Sequence, residues 1–460
     1  MNSRQDTVAG AADAPARTGT PSRAARALDH FFGLTASGTT VRTEVMAGLA
    51  TFLAGMYIIV VNPGILSDAG IPFSAGLTAT VLISFLGSLA MGLYARNPIL
   101  VAPGMGMNAL FTYTLVEGAG VPLETALGCV FWSGVIFVIL AVFNVRQVIV
   151  DAIPANMRYA ITCGIGLFIT FIGLKNAGFI VSNPATLVSM ADLGPAVLTF
   201  LAGLALTSAF VSRKLPGALV LGVVATTLLA LPLGRLWGGD APVVAWDGLV
   251  AAPDFSFMFQ VDVIGALSVA YWPFIFVMLF TNFFDALSCF MGLSEAADLK
   301  DEDGNPRNLK QSMTVDAFAS IIAAPLGTSA AQTFIESGAG VAQGGRTGLV
   351  AVTVAVLFLP FLFLSPLLEL VPAIATSTVL VLVGLFMLAP VSKVEWQRYD
   401  EAIPAFLAVI LMPLTYSITM GIAYGFLSYV VIKALMGRIR DVKPAMLVVA
   451  GLCILMLATV

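Results

Sequence analysis

The chain has 460 residues, of which 59% are apolar and only 10% are charged, and its mean hydropathy of +0.97 is outside the range of soluble globular proteins. The net charge of -4 is small, and nothing in the charge distribution supports nucleic-acid binding. Apolar runs of about 17 to 25 residues recur along the whole length, which makes this an all-α polytopic membrane protein and excludes a barrel of alternating strands.

Residues 1–37 are rich in Ala, Thr, Arg, Ser and Gly and contain no apolar h-region, which predicts a disordered cytoplasmic tail and no cleaved signal peptide. Fourteen transmembrane segments are expected to follow, at 44–61, 74–95, 103–116, 122–142, 157–174, 194–211, 216–235, 262–292, 311–326, 329–344, 347–364, 372–389, 402–416 and 418–436. With the N-terminus inside, each even-numbered segment returns to the cytoplasm. Of the 22 Lys and Arg, only Lys175 and Arg235 then fall outside, as the positive-inside rule requires. The loop Glu295–Lys310, EAADLKDEDGNPRNLK, is acidic but lacks the fixed alternating ligands and closing Glu of an EF-hand, and reads as a solvated connector. The apolar stretch 444–460 is either a fifteenth span or a helix at the membrane surface.

Two sets of seven segments each cross the membrane an odd number of times, so the halves must be inverted with respect to each other, a 7+7 inverted repeat. The third segment of each half supports this. Ala102–Thr114, APGMGMNALFTYT, and Gly327–Arg346, GTSAAQTFIESGAGVAQGGR, are both short, Gly-rich and polar between long apolar neighbours. Backbone of that kind cannot face lipid, where its polar groups would go unpaired, and must line a cavity. Segments 3 and 10 are thus expected to be short broken helix/strand elements, with a strand running into a half-helix at Glu336.

Four residue types in these segments could carry function. Asp285, in FTNFFDALSCF of segment 8, and Glu336 are carboxylates at membrane depth, where a charge costs about 2.5 to 3.5 kcal/mol on insertion scales. Asn282 lies one turn before Asp285 on the same helix face and could bind a ligand or orient the acid. Asn108 offers both donor and acceptor to a heterocycle, or only caps a broken helix. Phe334 could stack on a planar ligand. Phe283 and Phe284 are as well explained by packing, and Asp316 in segment 9 reads equally as a structural partner. The cysteines Cys129, Cys163, Cys289 and Cys453 are scattered in apolar runs and read as small buried hydrophobes without disulfides. His30 is the only histidine and precedes the first span, so no histidine-based metal site or proton relay is available in the membrane.

AGLATFLAGMYIIVVNPGILSDAG, APGMGMNALFTYT, IPANMRYAITCGIGLFITFIGLKNAG and above all GTSAAQTFIESGAGVAQGGRTGL together resemble the AzgA-like purine permeases of the nucleobase/ascorbate (xanthine/uracil permease) superfamily. The resemblance covers nearly all of the chain after the tail. It implies a core domain that carries the substrate, 38–142 and 262–366, and a gate domain, 143–261 and 367–443, with 444–460 appended. It also implies import of purine bases with protons. By motif, Glu336 takes the place of the substrate-binding glutamate, Asp285 that of the acid in segment 8, and Asn108 that of the polar residue in segment 3. Where the family pattern resembles VDLFDTTGTL, this chain has TNFFDALSCF, so Asn282 stands in place of an acid, which bears on the preferred base and the proton stoichiometry.

The expected function is therefore proton-coupled uptake of hypoxanthine, guanine or adenine by alternating access across the cell (inner) membrane. Asp285 is the expected proton carrier and Glu336 the base-binding carboxylate, or the reverse. A uracil or xanthine carrier or an anion exchanger of the same fold is the alternative, although two acids do not suit an anion. An intramembrane aspartyl protease would need a GxGD-type motif that Asp285 lacks, and a passive channel would leave the acids idle. The partners are the purine, protons and the bilayer. No cofactor is implied, and a homodimer is left open.

Overall fold

The computed structural model describes residues 23–142, 154–238, 241–246, 248–297, 299 and 306–459. The boundary expected between 142 and 143 and the acidic middle of the 295–310 loop lie outside the described residues.

The first half of the chain runs α1 (Arg23–Phe32), α2 (Val41–Gly55), α3 (Ile58–Asp68), α4 (Phe73–Ala90), β1 (Val101–Pro103), α5 (Met105–Ala109), α6 (Leu123–Val142), α7 (Ala155–Asn176), a hairpin of β2 (Ile180–Asn183) and β3 (Leu187–Met190), α8 (Pro195–Ser212) and α9 (Ala218–Ala230). The second half runs α10 (Trp272–Ala297), α11 (Leu309–Leu326), β4 (Ala331–Thr333), α12 (Gly338–Ala342), α13 (Gly348–Phe358), α14 (Ala373–Met387), α15 (Tyr399–Leu414) and α16 (Ile418–Leu435), followed by α17 (Pro444–Thr459). With α1 and the hairpin set aside and α2–α3 counted as one broken span, helix, helix, strand with short helix, then four helices is the order in both halves. Among the described residues, eight helices are long and apolar enough by themselves to cross a bilayer; the strand-and-helix elements and the shorter helices are not.

Several boundaries differ from expectation for local reasons. Residues 262–271 are apolar enough to extend segment 8, yet they form two 3₁₀ turns and α10 begins only at Trp272. Asp262 accepts from the Gly265 amide at 2.8 Å, holding a tight turn in place of a helix. Segment 7 stops at Ala230 because Pro232 follows, and α13 tightens into a 3₁₀ turn, Leu359–Phe363, at Pro360. Part of the expected tail is helical: α1 puts Leu28 and Phe32, with Leu34, against Val41, Leu349 and Val352.

The helices pack as two bundles. In one, α2, α3, α4, α6, α10, α11 and α13 surround the strand-and-helix elements. In the other, α7, α8, α9, α14, α15 and α16 pack together. At the centre of the first bundle β1 and β4 pair antiparallel, with Val101 opposite Thr333, Ala102 opposite Gln332 and Pro103 opposite Ala331. Antiparallel pairing is what a twofold inversion of the halves requires of equivalent strands. The strands thereby satisfy each other's backbone groups away from water, and their outer edges are closed by hydroxyls. Ser88 of α4 bonds the Val101 amide at 3.0 Å and carbonyl at 3.1 Å, and Ser320 of α11 donates to the Ala331 carbonyl at 2.8 Å. Since α4 and α11 are the second elements of their halves, the two serines are equivalent in the repeat.

The start of α13 has a different solution. Glu44 of α2, fully buried, accepts from the backbone amides of Arg346 at 2.9 Å and Thr347 at 3.1 Å and from the Thr347 hydroxyl at 2.6 Å, occupying donors that a helix leaves open. Glu44→Ala strands these donors, at about 1 to 3 kcal/mol each. A clear fall in the Tm of the purified protein in detergent is expected, and an unchanged Tm would show that the contact carries no stability.

Candidate functional site

A cavity of about 230 Å³ lies between the two bundles. Its polar wall belongs to the first bundle. The chain breaks its helix at Met56–Tyr57, between α2 and α3, and Tyr57 faces the cavity there. Asp285, Ser288 and Cys289 of α10 line it at the i, i+3, i+4 spacing of one helix face. β4 and the 3₁₀ turn after it contribute the continuous run Gln332 to Glu336. Met105 and Gly106 add the first turn of α5. The opposite wall comes from the second bundle: Thr162 of α7, then Val383, Phe386 and Met387 of α14 and Pro390 beyond it. It is apolar but for one hydroxyl, and among the described residues no Lys, Arg or His lines the cavity.

Within this frame the two acids are held differently. Tyr57 donates its phenolic hydrogen to Glu336 Oε1 at 2.7 Å, and the Tyr57 and Phe334 rings lie 6.5 Å apart at 42°. Asp285 Oδ2 has no hydrogen-bonding partner among the described residues. Gln332 is its side-chain neighbour. Glycine permits the close approach of α5 to β4: a methyl group on Gly104 would run into Gln332 Cδ.

Of the residues singled out from the sequence, Asp285, Glu336 and Phe334 line the cavity, whereas Asn108 and Asn282 do not. Asn108 is fully buried and its Oδ1 accepts from the Ser329 hydroxyl, tying α5 to the approach to β4. Asn282 donates to Ser320 Oγ at 2.8 Å and to the Ala331 carbonyl at 3.4 Å, behind β4. Asp316 is also fully buried off the cavity, close to the Thr333 backbone. Phe283 packs on Phe137, and Phe284 lies under Arg158. Sequence reasoning missed Tyr57, Gln332 and Thr162. Gln332 lies in the same polar stretch as Glu336, which was its signal; Tyr57 and Thr162 sit in apolar runs that carry none.

Two bundles of apolar helices with a small, one-sidedly polar cavity between them are the architecture of a polytopic membrane protein with an internal site. A family model described as "Permease family" (Xan_ur_permease) matches residues 42–457, and the chain belongs to that family. It is 42% identical over 431 residues to adenine permease AdeP of Escherichia coli, covering 93% of this chain and 95% of that one. It is 40% identical over 428 residues to guanine/hypoxanthine permease PbuO of Bacillus subtilis, covering 91% and 98%. Among solved structures, the transmembrane domain of the cyanobacterial bicarbonate transporter BicA superposes with a TM-score of 0.62 at 15% identity, covering 84% of this chain and 97% of that one. That likeness shows the fold, the inverted repeat.

Proposed function

We propose that this permease imports a purine nucleobase by proton symport through alternating access across the cell membrane, with its N-terminus in the cytoplasm. The first bundle acts as the core that carries the base, and the second as the gate. Glu336 holds a polar edge of the base, Phe334 lies against its plane, and Asp285 carries the proton. Asn108 and Asn282 act one layer behind, holding α5 and β4 where the cavity needs them. The observation that carries this reading is the cavity's asymmetry: two carboxyls and an amide face an apolar wall, which suits a flat, neutral, hydrogen-bonding molecule.

Contacts between the bundles support alternating access. At one end, the Tyr113 hydroxyl beyond α5 donates to Asp68 of α3 at 2.6 Å and accepts from Asn176 of α7 at 3.4 Å. Nearby, the Ile418 amide at the start of α16 donates to Thr114 Oγ1 at 3.3 Å. Tyr113–Asp68 lies within the first bundle, so rocking of one bundle against the other breaks only the Tyr113–Asn176 and Thr114–Ile418 bonds to open that end. An anion exchanger of the same fold is disfavoured by the two acids and by the lack of a cation among the described residues of the cavity lining.

The test is uptake of labelled guanine, hypoxanthine and adenine by cells lacking their own purine carriers. Uptake well above the vector control and abolished by a protonophore is expected. Uptake that a protonophore leaves untouched would rule out proton symport, and no uptake of any of the three would rule out the substrate class.

A further inference from the structure

We infer that Tyr57 is a specificity-determining residue: by committing its only proton to Glu336 it makes the pair present acceptors alone, so the site takes a planar heterocycle by an edge with two adjacent N–H donors. The inference rests on the reading of this cavity as a nucleobase site.

Tyr57 is held firmly. It is 2% exposed, it sits at the helix break, and its carbonyl accepts from the amides of Val60 at 3.1 Å and Val61 at 3.0 Å. Its ring is further constrained by Phe334. An ionised carboxylate can only accept hydrogen bonds, and a phenol has one hydrogen to give. With that hydrogen spent on Glu336 Oε1 at 2.7 Å, the phenolic oxygen and the carboxylate offer the ligand lone pairs side by side. Among the described residues, no cation in the lining inverts that character.

Purines differ in what they set against such a pair. The 2-amino-6-oxo edge of guanine carries a ring N1–H and an exocyclic N–H next to each other. Hypoxanthine keeps only the ring N–H. Adenine places a bare ring nitrogen beside its amino group, so a lone pair would face an acceptor. A site built to receive N–H groups rejects ligands lacking them strongly, because its polar groups are left unpaired.

The experiment has two arms. In the first, unlabelled guanine, hypoxanthine, adenine and 1-methylguanine compete with labelled guanine for uptake by the unaltered protein. Guanine is expected to compete best, with 1-methylguanine and adenine each weaker by about tenfold or more, the size of one lost hydrogen bond to a charged group. Adenine or 1-methylguanine competing as well as guanine overturns the inference without needing a variant. In the second, Tyr57→Phe, checked for amount and dispersity by size-exclusion chromatography, is expected to raise the KM for guanine about tenfold with Vmax nearly kept, and to shrink the guanine advantage over hypoxanthine. An unchanged KM and order, or a Vmax loss alone, overturns it. If the unaltered protein accumulates no purine at all, the underlying reading fails; purine uptake without this discrimination sinks only the role of Tyr57.

Discussion

Glu336→Gln is expected to lower purine uptake about a hundredfold while leaving the protein in the membrane in normal amount. The substitution keeps the side chain's shape, so the turn after β4 and its packing have no steric reason to change. The Tyr57 hydroxyl, 2.7 Å away, can still donate to the remaining oxygen. What changes is the other end of the group: an NH₂ donor now faces the ligand where an acceptor stood. A charged hydrogen bond worth about 1.5 to 3 kcal/mol is lost, and a buried donor is left facing an N–H at a further cost of about 1 to 3 kcal/mol. Together about 3 kcal/mol corresponds to about two orders of magnitude in affinity. Initial rates of labelled guanine uptake, normalised to the protein detected in membranes, measure it. Normal accumulation by Glu336→Gln would remove Glu336 from the site.

The fold was largely legible because its signals are collective. Repeated apolar runs, cations segregated by loop and two Gly-rich polar segments at matching places in the halves pointed to an inverted repeat before any contact was known. Glu336 and Asp285 stood out because a carboxylate amid apolar residues has few bland explanations. The amides were less informative. Asn108 and Asn282 have the same surroundings in the sequence whether they face a cavity or brace a strand, and in the structure they bond Ser329, Ser320 and the Ala331 carbonyl. Pairing of Val101–Pro103 with Ala331–Thr333 could not be read, since strands of three residues are too short to show a period. Tyr57 lies in MYIIVV, where an aromatic residue is unremarkable until its hydroxyl is seen to meet Glu336. Residues 262–271 were misjudged for the opposite reason, because hydropathy rises there before the α-helix begins at Trp272.

Asp285→Asn is expected to separate binding from coupling, with a larger effect on accumulation than any other change to this chain. The two cavity acids are not equivalent: Glu336 Oε1 is occupied by the Tyr57 phenol, while Asp285 Oδ2 has no partner among the described residues, and Asp285 is the proposed proton carrier. Asparagine has the shape of a protonated aspartate but cannot release the proton. A carrier locked in that form can still bind purine and cycle with it, so exchange of labelled for unlabelled base across proteoliposome membranes should persist at a rate near that of the unaltered protein. Concentrative uptake should vanish. A proton crossing 100 mV supplies about 2.3 kcal/mol, enough for roughly fiftyfold accumulation, whereas the variant is expected to bring internal and external base to equality and stop. Accumulation by Asp285→Asn that still collapses with a protonophore would move the proton to another acid, Glu336 or the buried Asp316. Loss of exchange along with accumulation would make Asp285 a ligand for the base, with coupling carried elsewhere.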